Sequence, residues 1–301
     1  ILKRLEPFQE QLKGLVVEST YNWYWLVDGL MDKGYRVHLA NPSAIKQYEG
    51  LKHSDDITDA FHLANLLRLG ILPEGYIYPK EERPVRDLLR KRMHLVQQRT
   101  AQILSFQNLI ARNLGMRMPV DAINKLDEEG VEELFAEQHL ILCGKACIAT
   151  INFLRSRIIQ LEKAVHKAAK LNDAYKRLKT VPGIWNILAL TITLETGPIE
   201  RFAKVGNYAS YCRCVQSNRY SNSKAKGKGN RKNGNPYLSW AYVEAANLAM
   251  WNYDYVQRFY QRKIAKTNNV VAIKAIAHKL ARACYYIIRD QKEFDPKRTF
   301  V

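Results

Sequence analysis

The chain has 301 residues, 47% of them hydrophobic, which is room for two ordinary domains with their own cores and sets aside a disordered protein. Its formal net charge of +18 and pI of about 9.6 bias its partners toward polyanions, nucleic acid first and an anionic membrane surface second. No apolar run is long enough to span a bilayer, no secretory signal is visible, and Cys143, Cys147, Cys212, Cys214 and Cys284 form neither a C-x-x-C pair nor a zinc spacing, so they are read as reduced, mostly packed residues.

In chain order, residues 1–80 alternate helix and strand signals. Ile1 to Leu12 carries Leu2, Leu5, Phe8 and Leu12 at amphipathic spacing, which predicts a helix broken by Gly14. Gly14-Leu15-Val16-Val17-Glu18 reads as a short buried strand ending in an acid. Asn22 to Lys33 reads as a helix capped by Gly34, and Arg36 to Ala40 as a second strand closed by Asn41-Pro42. Strand, helix, strand predicts a parallel α/β unit. Ser54 or Asp55 suits the cap of a further helix running through Leu63 and Leu66 to Leu69. Tyr76 to Pro79 reads as extended.

Residues 81–175 lose the strand signal. Val85, Leu89, Met93, Val96, Ile103, Phe106 and Leu109, then Ile148, Ile151, Leu154, Ile158 and Val165, recur at helical spacing with charge on the other faces. This predicts a helical hairpin or coiled-coil arm, with its bend near Gly115, Pro119 and Gly130. Residues 176–301 form a mainly α-helical third region. An apolar helix from Trp185 to Glu195 ends at Gly197-Pro198, a polar glycine-rich loop spans Ser217 to Pro236, and helices follow over Tyr237–Gln261 and Ala272–Gln291.

Three features carry chemistry. Glu18 ends a strand, and Asp56 and Asp59, three apart, share a helix face. Clustered carboxylates suit Mg²⁺ or Mn²⁺, and such ions serve phosphodiester chemistry; the plainer reading is an acidic first turn favoured by the helix dipole, with Asp55 a cap or a solvated acid. From Arg201 to Val243 there is no Asp or Glu but nine Lys or Arg. In this basic loop Arg219, Lys224, Lys226, Lys228, Arg231 and Lys232 suit phosphates, and Ser221 or Ser223 suits attack on phosphorus; the plainer reading is a solvated loop that only touches nucleic acid. Val181-Pro182-Gly183-Ile184 is similar to the turn of a helix-hairpin-helix, whose backbone N–H groups, Gly183 among them, meet a phosphate, and reads equally as a plain turn.

These segments together resemble the DEDD-type insertion-sequence transposases, the insertion-sequence family 110 type described as bridge-RNA-guided serine recombinases. The resemblance rests on Val16-Val17-Glu18-Ser19-Thr20, on Lys52 to Ala60 with Asp56-x-x-Asp59, on Leu178-x-x-Val181-Pro182-Gly183-Ile184 with Glu195-x-Gly197, on Ser221-Asn222-Ser223-Lys224 leading to Asn233-Gly234-Asn235-Pro236, and on Glu244-Ala245-Ala246-Asn247, in order along nearly the whole chain. It implies an α/β plus α fold: a RuvC-like, ribonuclease-H-type domain over 1–80, a coiled-coil arm over 81–175 and a serine transposase domain over 176–301. It implies double-stranded DNA and a structured noncoding guide RNA as partners, a dimer or tetramer with a composite site, and a cytoplasmic, nucleoid-associated place in a prokaryote with no membrane contact. The family's first Asp lies on a strand before the first helix, which is absent here, leaving Glu18, Asp56 and Asp59 of four acids and predicting a truncated domain. Family members usually have Gly where this chain has Ser223, and the Ser-x-Gly-Lys pattern makes Ser221 the nucleophile with Ser223 the alternate. The competing expectation is a nucleic-acid-binding scaffold, or inactive truncated transposase, without catalysis.

Overall fold

A computed structural model describes residues 1–45, 55–168, 173–215, 218–228 and 233–300, with only the backbone described at 168, 218–221, 225 and 228. By its contacts the chain divides into two compact units: Ile1–Glu81 with Gln216–Gly234, and Glu82–Val215 with Asn235–Val301.

The first unit opens with a short helix α1 (Leu2–Leu5) and a 3-10 turn (Glu6–Phe8) in place of the longer amphipathic helix that the spacing predicts. Pro7 has no N–H to continue the α-helical ladder, and Leu2 and Phe8 remain exposed. Strand β1 (Leu15–Glu18) pairs in parallel with β2 (Val37–Ala40), Leu15 opposite Val37 and Glu18 opposite Ala40. Helix α2 (Tyr24–Met31) makes the crossover between them, and Gly34 turns the chain at φ +82°. Helix α3 (Asp56–Arg68) starts at Asp55, whose carboxylate accepts the Thr58 N–H at 2.7 Å. That backbone hydrogen bond holds the Asp55 carboxyl below its usual value, as expected of a cap. The Ala40 to Glu74 bridge and the His38–Glu74 contact at 2.9 Å tie the chain after α3 back to β2.

The second unit begins with α4 (Arg83–Leu114), 32 residues or about 48 Å of helix. Pro84 stands in its first turn and Gly115, left-handed at φ +66°, ends it. Two short helices, α5 (Val120–Ile123) and α6 (Glu128–Leu134), make the bend, and α7 (Gln138–Ala168) returns. Arg92 pairs with Glu162 at 2.7 Å while Gly144 lies against Phe106, so α4 and α7 run antiparallel. Phe106, Ile110, Ile148 and Ile151 fill their seam, and Ile123, Val131 and Phe135 cap its far end.

The rest of this unit is a helical core made of α8 (Asp173–Leu178), α9 (Asn186–Thr196), α10 (Val205–Tyr211), α11 (Pro236–Asn252), α12 (Asp254–Ile264), α13 (Asn269–Asp290) and α14 (Pro296–Phe300). The single helix expected over Tyr237–Gln261 is two, because Tyr253 adopts extended backbone between them. Alanines 241, 245 and 249 of α11 are fully buried at i, i+4 spacing. Their small side chains let the Val181–Ile184 turn sit directly on the helix. Gly183, at φ +76°, is the point of contact: an added Cβ would land on the Ala245 carbonyl oxygen and 2.8 Å from the Ala249 nitrogen. The turn is buried, and close packing against α11 by itself requires glycine at Gly183, as the plain-turn reading has it.

Burial pushes the Cys284 thiol up to about 12 and holds the Cys212 thiol well above its ordinary value. All five cysteines are free; Cys147, Cys212 and Cys284 are buried, Cys214 is half-buried and Cys143 is exposed, so most but not all of them serve packing.

Gly183→Ala is expected to cost about 2–4 kcal/mol, combining overpacking with a strained left-handed backbone. Gly206→Ala, on α10 with nothing within 4 Å of its added carbon, is expected to be neutral or stabilising by about 0.5–1 kcal/mol. Denaturant midpoints of the two variants against the parent chain check the contrast.

Candidate catalytic and nucleic-acid-binding site

The acids sit where β1 ends and α3 begins. Leu67, near the end of α3, lies 3.4 Å from a Cβ built on Gly14, just before β1. Leu63 and Leu66 pack with Val16 and Ala40. Rising along β1 therefore means descending along α3, and the two elements run opposite ways. From Gly14 to Glu18 the strand advances about 13 Å. From Leu67 back to Asp59 the helix advances about 12 Å. Asp59 shares the Leu63 and Leu67 face, so the register brings it to the Glu18 end of the pair. Glu18 and Asp59 are half-buried there, and Asp56 is exposed in the first turn. Among the described residues no three His, Cys, Asp or Glu form a group able to hold a metal by themselves. Mg²⁺ commonly takes only one or two protein carboxylates and completes its shell with water and substrate phosphates. Glu18, Asp56 and Asp59 are not brought together as a three-carboxylate group here, and a metal held by them would draw the rest of its shell from water and substrate.

The stretch expected to be a loop folds as an antiparallel hairpin, β3 (Asn218–Ser221) and β4 (Lys224–Lys228), with Ser221 opposite Lys224. The two-residue turn is Asn222 at φ 50° and Ser223 at φ 59°. Both φ values are positive, the pattern of a tight turn that matches strand twist and prefers Asn-Gly. Asn tolerates this backbone and Gly adopts it freely, whereas Ser is strained there. Ser223 thus holds a turn position that glycine suits, and Ser221 ends the strand beside it. A pairing shift between Arg219 and Tyr220 leaves an extra residue on β4 near Gly227, at φ 127°. Lys224 and Lys226 are exposed. The side chains of Arg219, Ser221 and Lys228 lie outside what is described, as do Arg231 and Lys232 entirely.

The base of this segment is stapled. The Asn235 N–H donates to the Tyr211 carbonyl at 2.6 Å, drawing together the two ends of the excursion that carries the hairpin. The Asn235 side-chain oxygen caps α11, accepting the N–H groups of Tyr237 and Leu238 at 2.8 and 3.1 Å. Its amide nitrogen donates to Glu195 at 2.8 Å. Glu195 is 1% exposed and meets the Arg90 guanidinium in a two-pronged pair at 2.6 and 2.8 Å. Arg90 also lies 4.3 Å over the Tyr237 ring. An acid inside the apolar helix Asn186–Thr196 signals in sequence that a buried cation awaits it, but Arg90, 105 positions away, is not legible there.

A DEDD-type IS110 transposase model matches residues 2–112, and a model described as "Transposase IS116/IS110/IS902 family" matches residues 175–261. The transposase for insertion sequence element IS1111A of Coxiella burnetii (strain RSA 493 / Nine Mile phase I) is 24% identical over 242 residues, covering 76% of this chain and 63% of that protein. The chain belongs to the IS110 family of transposases. It spans less than two thirds of that relative's length. Among the described residues no helix is long and apolar enough to cross a membrane.

Glu195→Ala leaves the Arg90 guanidinium and the Asn235 amide without their buried acceptor, and is expected to cost about 3–5 kcal/mol of stability. Arg90→Lys does not restore the planar fork and is expected to lose about 1–3 kcal/mol. Urea unfolding of both variants and of the double variant checks it; additive effects would show that the pair is not coupled.

Proposed function

We propose that this chain cuts and rejoins DNA strands, with Glu18, Asp56 and Asp59 as the acids of its metal site and Ser221 as its nucleophile. What supports the reading is the position of Glu18 at the end of β1 and of Asp56 and Asp59 in the first turn of α3, the helix that packs on β1. Mg²⁺ held there, or Mn²⁺, supplies charge stabilisation at the scissile phosphate. The Ser221 hydroxyl attacks phosphorus: the Oγ–phosphorus bond forms, the bond to the leaving sugar oxygen breaks, and that oxygen takes up a proton. The phosphoserine link conserves the bond energy until a sugar hydroxyl of another strand attacks it and releases the serine. Lys224 and Lys226, exposed beside the hairpin turn, offset charge on the phosphate. In a dimer or tetramer, acids and serine come from different subunits. A structured noncoding RNA chooses the target by base pairing, and the basic surface holds RNA and duplex DNA by their backbones.

Ser221→Ala is expected to reduce trapped covalent protein–DNA adducts below about a thousandth of the parent value, read on denaturing gels with duplex DNA, guide RNA and Mg²⁺ present. Ser223→Gly is expected to keep the adducts and to stabilise the turn by about 1 kcal/mol. Adducts that survive in Ser221→Ala and vanish in Ser223→Ala would move the nucleophile to Ser223.

The double variant Asp56→Ala with Asp59→Ala is expected to lose Mg²⁺-dependent strand transfer while retaining nucleic-acid affinity. Strand transfer unchanged in that variant would leave only the scaffold reading standing.

A further inference from the structure

From Tyr255 to Arg289 the chain has no Asp or Glu and eight Lys or Arg. Helix surfaces ordinarily interleave both signs, because opposite charges three or four apart support one another. Here that support is absent over most of α12 and α13. One face of α13 buries Ile273, Ile276, Leu280 and Ile287 in the core. Another face carries Lys279, Arg282, Tyr286 and Arg289 at helical spacing. After α13 the chain turns back and α14 packs on it, burying Phe300. Between them lies an open groove of about 650 Å³, lined among others by Arg282, Tyr286, Arg289, Lys292 and Arg298.

The acids in the groove are mostly committed. Asp290 is held by Arg289 at 2.6 and 3.1 Å. Asp295 accepts the backbone N–H groups of Lys297 and Arg298 at the start of α14. Two of the nearby cations are committed as well: Lys279 donates to the Thr299 carbonyl at 2.6 Å and Arg262 to the Phe300 carbonyl at 3.4 Å, at the negative end of α14. Arg282, Lys292 and Arg298 are exposed and make no ion pair among the described residues. Burial, together with the charges of Arg282 and Arg262, holds the Lys279 ammonium below its usual value. Beside these cations Tyr286 is 39% exposed, with the Arg289 guanidinium 4.9 Å from its ring centre. A cation-rich groove with an exposed aromatic–guanidinium platform is the chemistry that binds an unpaired polynucleotide strand. The groove lies beyond residue 261, outside both segments matched by the family models.

We propose that the α13–α14 groove binds an unpaired nucleic-acid strand, with Arg282, Lys292 and Arg298 on its phosphates and a base stacked at Tyr286. This site is separate from the Ser221 hairpin and does not depend on the assigned nucleophile.

The test uses the whole chain, a 20-nucleotide oligothymidylate, the oligouridylate of the same length, and a duplex of that length. Arg282→Gln/Lys292→Gln/Arg298→Gln is expected to weaken single-strand binding at least about tenfold and to lower the salt slope of log affinity by about 2, since each phosphate contact on a single strand contributes about 0.7. Tyr286→Ala is expected to weaken it about fivefold or more with the slope unchanged. A loss on RNA only, or on DNA only, assigns the strand. A control, Lys91→Gln/Arg112→Gln/Lys125→Gln, removes the same charge from exposed arm positions. Equal loss in the control, no loss in the groove variant, or loss confined to the duplex would overturn the proposal. Lys224→Gln/Lys226→Gln, measured for adduct formation in parallel, separates failure of the hairpin reading from failure of this one.

Discussion

The buried carboxylate of Glu195 is the constraint on which the functional part of this protein depends. A lone acid in a helical core is costly unless it is paired and hydrogen-bonded. Here Glu195 satisfies that demand with two residues from distant parts of the chain, Arg90 through both guanidinium prongs and Asn235 through its amide, while the Tyr237 ring lies against Arg90. Each partner belongs to a different element. Arg90 is on the first arm helix, Glu195 near the end of α9, and Asn235 at the cap of α11. The same Asn235 closes the excursion that carries Ser221 by donating to Tyr211. The charge pair thus ties the Asn235 end of the excursion to the root of the arm.

The hairpin shows how a sequence of loop-forming residues can be ordered. Ser, Asn and Gly dominate the segment and read as loop. The alternation across Arg219-Tyr220-Ser221 and Lys224-Ala225-Lys226 suffices for two short strands once Asn222 and Ser223 supply the left-handed turn. Concentrated positive charge opposes such pairing, and a bound polyanion would relieve it. The strain at Ser223 falls beside the residue proposed to react, a place where strained backbone is often tolerated.

Basic residues are distributed over two separate stretches. One runs from Arg201 to Val243 and the other from Tyr255 to Arg289, and neither contains more than cations among its charges except Glu244 and Asp254 in the gap between them. Within the second unit, the alanines of α11 admit the Val181–Ile184 turn and let the helices approach closely.

Much of the fold was legible in the residues. The 3.6-residue periodicity of the arm, the strand–helix–strand opening, the Asp55 cap and the packing role of the cysteines follow from local spacing and hydrophobicity, which act between neighbours in the chain. The family was legible too, because its motifs keep their order. Where local signals failed, a single residue overrode a periodicity: Pro7 cut the first helix, and Tyr253 divided the helix after Pro236. The sequence by itself determined the elements, the acids on β1 and α3, and the concentration of positive charge. Only the tertiary structure decided that Gly183 serves packing, that Glu195 meets Arg90 and Asn235, and that α14 folds onto α13 to make a groove. Those outcomes rest on contacts between residues tens of positions apart, and the direction a chain takes through intervening turns sets such contacts, not the character of any one segment.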